Sequence, residues 1–128
     1  MKTIKQTVTF KASPHDVFEM LMDSKKHSAF SGDKASISRK VNGKFTAYGD
    51  YIEGKNLEIV QDKKIVQQWR ASEWPEDAYS KATFEFVKEG KNTKLKFTQE
   101  NVPEEFFEAI KQGWIDFYWN PMKEMLEN

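Results

Sequence analysis

The stretch Lys81–Met125, KATFEFVKEGKNTKLKFTQENVPEEFFEAIKQGWIDFYWNPMKEM, changes its apolar period from two residues to three and four, and that change decides the fold. Ala82, Phe84 and Phe86 fall on one face of a strand, and Leu95, Phe97 and Gln99 on one face of the next. Gly90 and Asn92 mark the hairpin between them. Pro103-Glu104-Glu105 then opens a helix, with acids in the first turn where the macrodipole favours them. Phe107, Ile110, Trp114, Phe117, Tyr118, Met122 and Met125 give that helix a broad apolar stripe. Pro121 sits inside the stripe and predicts a kink near Phe117, whose carbonyl loses its donor.

Upstream, Ile4 to Ala12 alternates as a half-buried strand, with Ile4, Val8, Phe10 and Ala12 on one face and Gln6 among them. Ser13 is a fit N-cap, Pro14 suits the first helical position and Asp16 completes a capping box, predicting a short helix to about Met22. Ser24 is expected to cap a second short helix over KKHSAF, which Gly32 ends. The middle reads as a meander: ASISRKV, an Asn42-Gly43 hairpin, KFTAY, a Gly49-Asp50 turn, YIE, a break at Gly54, NLEIVQ, Asp62, then KIVQQWRA. These elements predict an α+β domain in which an antiparallel sheet of six to seven strands packs on the long C-terminal helix, with two short helices after the first strand. The length, 128 residues, suits one domain spanning 1–128.

Charge and composition exclude several functions. Lys plus Arg and Asp plus Glu each number 20, so no global field draws the chain to nucleic acid or an anionic membrane. Residues 1–70 carry 13 basic and 8 acidic groups (+5) and residues 71–128 carry 7 and 12 (−5), a division able to steer a partner. Without cysteine there is no disulfide, thiolate metal site or thiol nucleophile. The N-terminus alternates instead of forming the apolar run of a signal peptide, and no segment reaches the roughly 20 apolar residues of a membrane span, so a cytoplasmic protein is expected.

No glycine-rich phosphate loop or nucleophile elbow occurs, and His15 and His27, both expected to face solvent, have no second ligand at metal-binding spacing. No cofactor and no catalytic residue is predicted. Aromatic residues make up 14% of the chain, so the rings must fill a core or line a pocket. Trp69, Phe84, Phe97, Trp114 and Tyr118, with the inward-facing amides Gln67 and Gln99, are the candidate ligand-binding set; Gln6 faces the same side. Core packing is the favoured account of the rings, and internal hydrogen bonding that of the amides. Trp74, in the turn Glu73-Trp74-Pro75-Glu76-Asp77, either closes one end of the core or stands as a partner contact flanked by its three acids. The space between sheet and helix is expected to be small or divided, opening where the hairpins meet the N-terminal half of the last helix.

IVQQWRASEWPEDAYSKATFEF, TKLKFTQENVPEE and IKQGWIDFYWNPMKEML together resemble the family of activators of heat-shock protein 90 ATPase, within the START-like, birch-pollen-allergen-like superfamily. Trp69-Arg70, Trp74-Pro75-Glu76 and Gln112-Gly113-Trp114 with Tyr118 carry the likeness most specifically. It implies a helix-grip fold and a non-enzymatic module similar to the C-terminal domain of the co-chaperone that stimulates the ATPase of heat-shock protein 90. Nothing in this sequence matches that co-chaperone's N-terminal domain, with its Asn- and Trp-rich activation motif. The alternative implied by the superfamily is a carrier or sensor of a small apolar ligand. The catalytic motifs of its few enzymes find no counterpart here.

Overall fold

The computed structural model describes residues 1–127. Seven strands form one antiparallel sheet in the order β1-β7-β6-β5-β4-β3-β2: β1 Lys2–Phe10, β2 Ser36–Ile37, β3 Lys44–Ala47, β4 Ile52–Val60, β5 Lys64–Ala71, β6 Ser80–Glu89 and β7 Asn92–Val102. Two short helices, α1 Pro14–Met22 and α2 Ser24–Ser31, follow β1. The C-terminal segment is a 3₁₀ turn Glu104–Phe106, α3 Phe107–Trp114, a π-helical turn Ile115–Trp119 and α4 Asn120–Glu127. No helix among the described residues is long and apolar enough to cross a membrane. The α+β helix-grip reading is correct.

Alternation sets which side chains meet the helices. Phe84 pairs with Phe97, Ala82 with Gln99 and Phe86 with Leu95 across β6 and β7, and all six are buried. On β1, Ile4 and Phe10 are buried and Gln6 is partly so. Ser13 Oγ accepts from the Asp16 amide at 3.2 Å, as the capping box requires.

Four local expectations need correction. Asp23, not Ser24, caps α2, accepting from the Lys26 amide at 3.0 Å; Ser24 Oγ instead accepts from the Ile37 amide at 2.8 Å. YIE and NLEIVQ are one strand, and Gly54 lies within it opposite Phe45 and Trp69. A Cβ there would stand 1.8 Å from the Gln68 carbonyl oxygen, so this glycine serves close approach of two backbones, not a turn. Asn42-Gly43 closes a loop running from Ser38, not a two-residue hairpin, because Asn56 Nδ2 donates to the carbonyls of Ser38 (2.7 Å) and Lys40 (3.1 Å) and shapes the loop from beneath.

The fourth concerns the last helix. Pro121 does lack the amide that would reach Phe117, but the chain answers with the π-helical turn, in which the Asn120 amide bonds Ile115 O. The extra residue moves the buried stripe. Ile110, Trp114, Tyr118 and Met122 stay inside and Trp119 joins them, whereas Phe117 is 57% and Met125 47% exposed. The orphaned Phe117 carbonyl accepts from the Tyr48 hydroxyl of the β3–β4 turn. Tyr48→Phe should therefore lower stability by about 1 kcal/mol, the net worth of one hydrogen bond, read as a shifted urea midpoint at unchanged slope.

Candidate functional site

The side chains proposed from sequence divide into three places. The first is an interlocked interior. Trp114 lies 4.4 Å from Phe97, 5.4 Å from Trp69 and 4.4 Å from Tyr118, measured between ring centroids, and stacks on Trp119 at 5.4 Å. Its Nε1 donates to Gln99 Oε1 at 2.7 Å; Gln99 Nε2 donates to Ser80 Oγ at 2.9 Å, and Ser80 Oγ donates to the Trp69 carbonyl at 2.8 Å. Gln6 repeats the device at the rim, accepting from Trp119 Nε1 at 2.7 Å and donating to the Lys111 carbonyl at 3.0 Å. Gln67 Nε2 donates to Asn56 Oδ1 at 3.1 Å. Each inward amide is thus consumed by structure: Gln6 and Gln99 latch indoles of the C-terminal segment to the sheet, and Gln67 supports the residue that shapes the β2–β3 loop.

The second place is a cleft of about 220 Å³ between the β3–β4 turn and the α3 end of the last helical segment. Of the residues expected to bind a ligand, it takes Trp69, Trp114 and Tyr118. Phe84 and Gln67 reach only a separate void of about 10 Å³, and Phe97 and Gln99 line neither. The reason is the packing just described, since Trp69, Trp114 and Tyr118 stand between the two spaces and line both. The space is divided and opens where the sequence reading placed it. What that reading missed is the outer wall: Tyr48, Tyr51, Gly113 and Phe117. Tyr48 and Tyr51 bracket the Gly49-Asp50 turn, a signal that was present, whereas Phe117 is swung there by the π-helical turn.

The Tyr51 hydroxyl donates to Glu73 Oε1 at 2.6 Å. Burial first, then this carboxylate, pushes the Tyr51 phenol up to about 12; burial first, then the charge of Asp33, does the same to Tyr48. Tyr118 is pushed up further, by burial and then by Tyr48. All three are neutral phenols at physiological pH.

The third place is the turn after β5. Trp74 is 3% exposed, 5.5 Å from Trp69 and stacked on Phe106 at 6.4 Å, so it closes the core and offers no ring to a partner. Arg70 holds the turn from outside, donating to the carbonyls of Trp74 (2.6 Å) and Pro75 (3.2 Å). The Trp69-Arg70 pair thereby sends one side chain to each side of the strand, one to pack Trp74 and one to clamp it. The predicted partner contacts reduce to the carboxylates of Glu73, Glu76 and Asp77, all exposed on a braced turn.

The histidines separate. His15 is exposed as expected and bonds Asp62 Oδ1 at 3.0 Å; Glu19 is close enough to form a three-donor cluster with them, but Arg39 engages both Glu19 oxygens at 3.0 and 2.6 Å. His27, expected in solvent, is buried against Phe30 and Tyr118, because α2 turns its His27–Phe30 face to the last helical segment. Its Nδ1 donates to the Leu21 carbonyl at 3.1 Å, and burial pushes its pKa down to about 4.

The fold recurs in known proteins. The model of the family described as Activator of Hsp90 ATPase homolog 1-like protein matches residues 11–127. The chain belongs to this family. It is 32% identical over 114 residues to the Activator of 90 kDa heat shock protein ATPase homolog of Dictyostelium discoideum, covering 88% of this chain and 30% of that protein. To the human Activator of 90 kDa heat shock protein ATPase homolog 1 it is 27% identical over 122 residues, or 95% of this chain and 36% of that one. The chain thus spans about a third of the length of these relatives. The crystal structure of an HSP90 activator from Plasmodium falciparum superposes with a TM-score of 0.93 at 29% identity, covering 99% of this chain and 97% of that one. The solution structure of the Aha1 dimer from Colwellia psychrerythraea, 20% identical with a TM-score of 0.84 and covering 99% and 97%, shows the same fold.

Proposed function

We propose that this member of the activator family is a non-enzymatic binding module that docks on a chaperone of the heat-shock protein 90 type. The observation that carries the reading is the correspondence, over nearly the full length of both chains, with the Plasmodium falciparum protein described as an HSP90 activator. The interior supports it, since the inward amide Gln99, which would orient a ligand between sheet and helix, is engaged with Trp114 and Ser80, and Phe97 packs on Trp114. Docking falls to the surface, and the braced Glu73, Glu76 and Asp77 turn presents an acidic, preorganised patch suited to a basic counterpart. The competing reading, a carrier of an apolar molecule between sheet and helix, is opposed by the division of that space and by a cleft smaller than the roughly 300 Å³ of ordinary ligand pockets.

Calorimetric titration with the heat-shock protein 90 chaperone of the same cells should give saturable binding that weakens as salt rises from about 50 to 300 mM, because rim charges act through screened long-range attraction. The double variant Glu76→Gln, Asp77→Asn should bind several-fold more weakly and lose most of that salt dependence. Absence of any heat or binding signal in low salt would sink the reading.

A further inference from the structure

The wall of the cleft between the β3–β4 turn and α3 is rich in aromatic rings. Tyr48, Tyr51, Trp69, Trp114, Phe117 and Tyr118 surround it, and the sole charged side chain on the wall is Glu73. No lysine or arginine lines it, and Glu73 forms no ion pair among the described residues; the Tyr51 hydroxyl fixes its carboxylate beside the rings. An aromatic face carries the negative part of the ring quadrupole, so a cation seated on any of these faces is attracted to it, and the Glu73 carboxylate adds to that attraction.

The chemistry of an occupant follows from that attraction and from size. A neutral apolar ligand would gain nothing from Glu73 and would remove water from its carboxylate. A compact ammonium such as a lysine head is strongly hydrated and gives up its water reluctantly. An ammonium whose charge is spread over methyl groups satisfies both demands, because its surface packs on rings while its charge is drawn by their faces and by the carboxylate. The volume, about 220 Å³, is that of a headgroup and not of a drug-sized molecule. We propose that this cleft is a binding site for a quaternary ammonium group of about the size of choline, held by cation–π contact with its rings and by the charge of Glu73. The site shares Glu73 with the acidic turn proposed for docking but requires neither Glu76 nor Asp77.

The test is a titration of intrinsic tryptophan fluorescence with choline and with 3,3-dimethylbutan-1-ol, the uncharged isostere in which carbon replaces nitrogen; two of the four tryptophans stand on the wall. Choline should quench or shift the emission saturably and bind about tenfold or more tightly than the alcohol. Glu73→Gln should weaken choline several-fold and leave the alcohol unchanged. Gly113→Leu plugs the cleft at a helical position with room for a Cβ, whose nearest neighbour is Phe117 at 3.7 Å, and improves helix propensity, so it should fold and lose choline binding. Equal binding of the alcohol, no saturable signal with choline, or full choline binding by Gly113→Leu overturns the proposal.

Discussion

Trp114→Ala should lower folding stability by roughly 3–5 kcal/mol, the range for emptying a fully packed aromatic site. Trp114 is 2% exposed and has Trp69, Phe84, Phe97, Tyr118 and Trp119 all within ring-contact distance, so no single neighbour can move into the space without leaving another. Truncation also deprives Gln99 Oε1 of its donor at a position with no access to water. Trp114→Phe separates the two losses, since it keeps most of the ring and removes only the N–H, and should cost about 1–3 kcal/mol. Urea unfolding followed by far-ultraviolet circular dichroism measures both. A loss below 1 kcal/mol for the alanine variant would mean that the C-terminal segment is not latched to the sheet through this ring.

That latch shows what the sequence disclosed and what it withheld. Strand alternation placed Gln99 inward beside Phe97, and helical spacing placed Trp114 inward, so both partners were legible as buried. Their bond was not, because neither period carries information about which inward amide meets which inward indole. The burial of Trp74 was left open by sequence for a related reason: a tryptophan in a charged turn is driven inward only if something fixes the turn, and here the fixing group is Arg70 reaching back from the strand. Phe117 and Trp119 exchanged their expected roles because a three-to-four spacing assumes an uninterrupted α-helix. One π-helical turn changes the spacing to five, and the only trace of it in sequence is Pro121, which removes a donor without specifying how the backbone will respond.

His27 is the position where the sequence misled most, and its burial has a measurable consequence. In an eight-residue helix with two lysines beside it, a histidine reads as solvated. The fold instead seats it between Phe30 and Tyr118, with Nδ1–H on the Leu21 carbonyl and Nε2 buried without a partner among the described residues. Loss of solvation is the main cause of its pKa falling from 6.5 to about 4, and the Leu21 bond opposes the fall. Below pH 6.5 the unfolded chain therefore takes up a proton that the folded chain refuses, so stability declines as pH falls from 6.5 toward 4 and levels off beneath that. At about 1.4 kcal/mol per pH unit, the loss between pH 7 and pH 5 should be about 2 kcal/mol. His27→Gln, which keeps a donor for Leu21 but cannot take a proton, should flatten the profile between pH 7 and 5 whatever its absolute stability. Urea midpoints at half-unit pH steps for both proteins decide the matter: a wild-type profile as flat as the variant's would place His27 in solvent, and with it would go the packing of α2 on Tyr118.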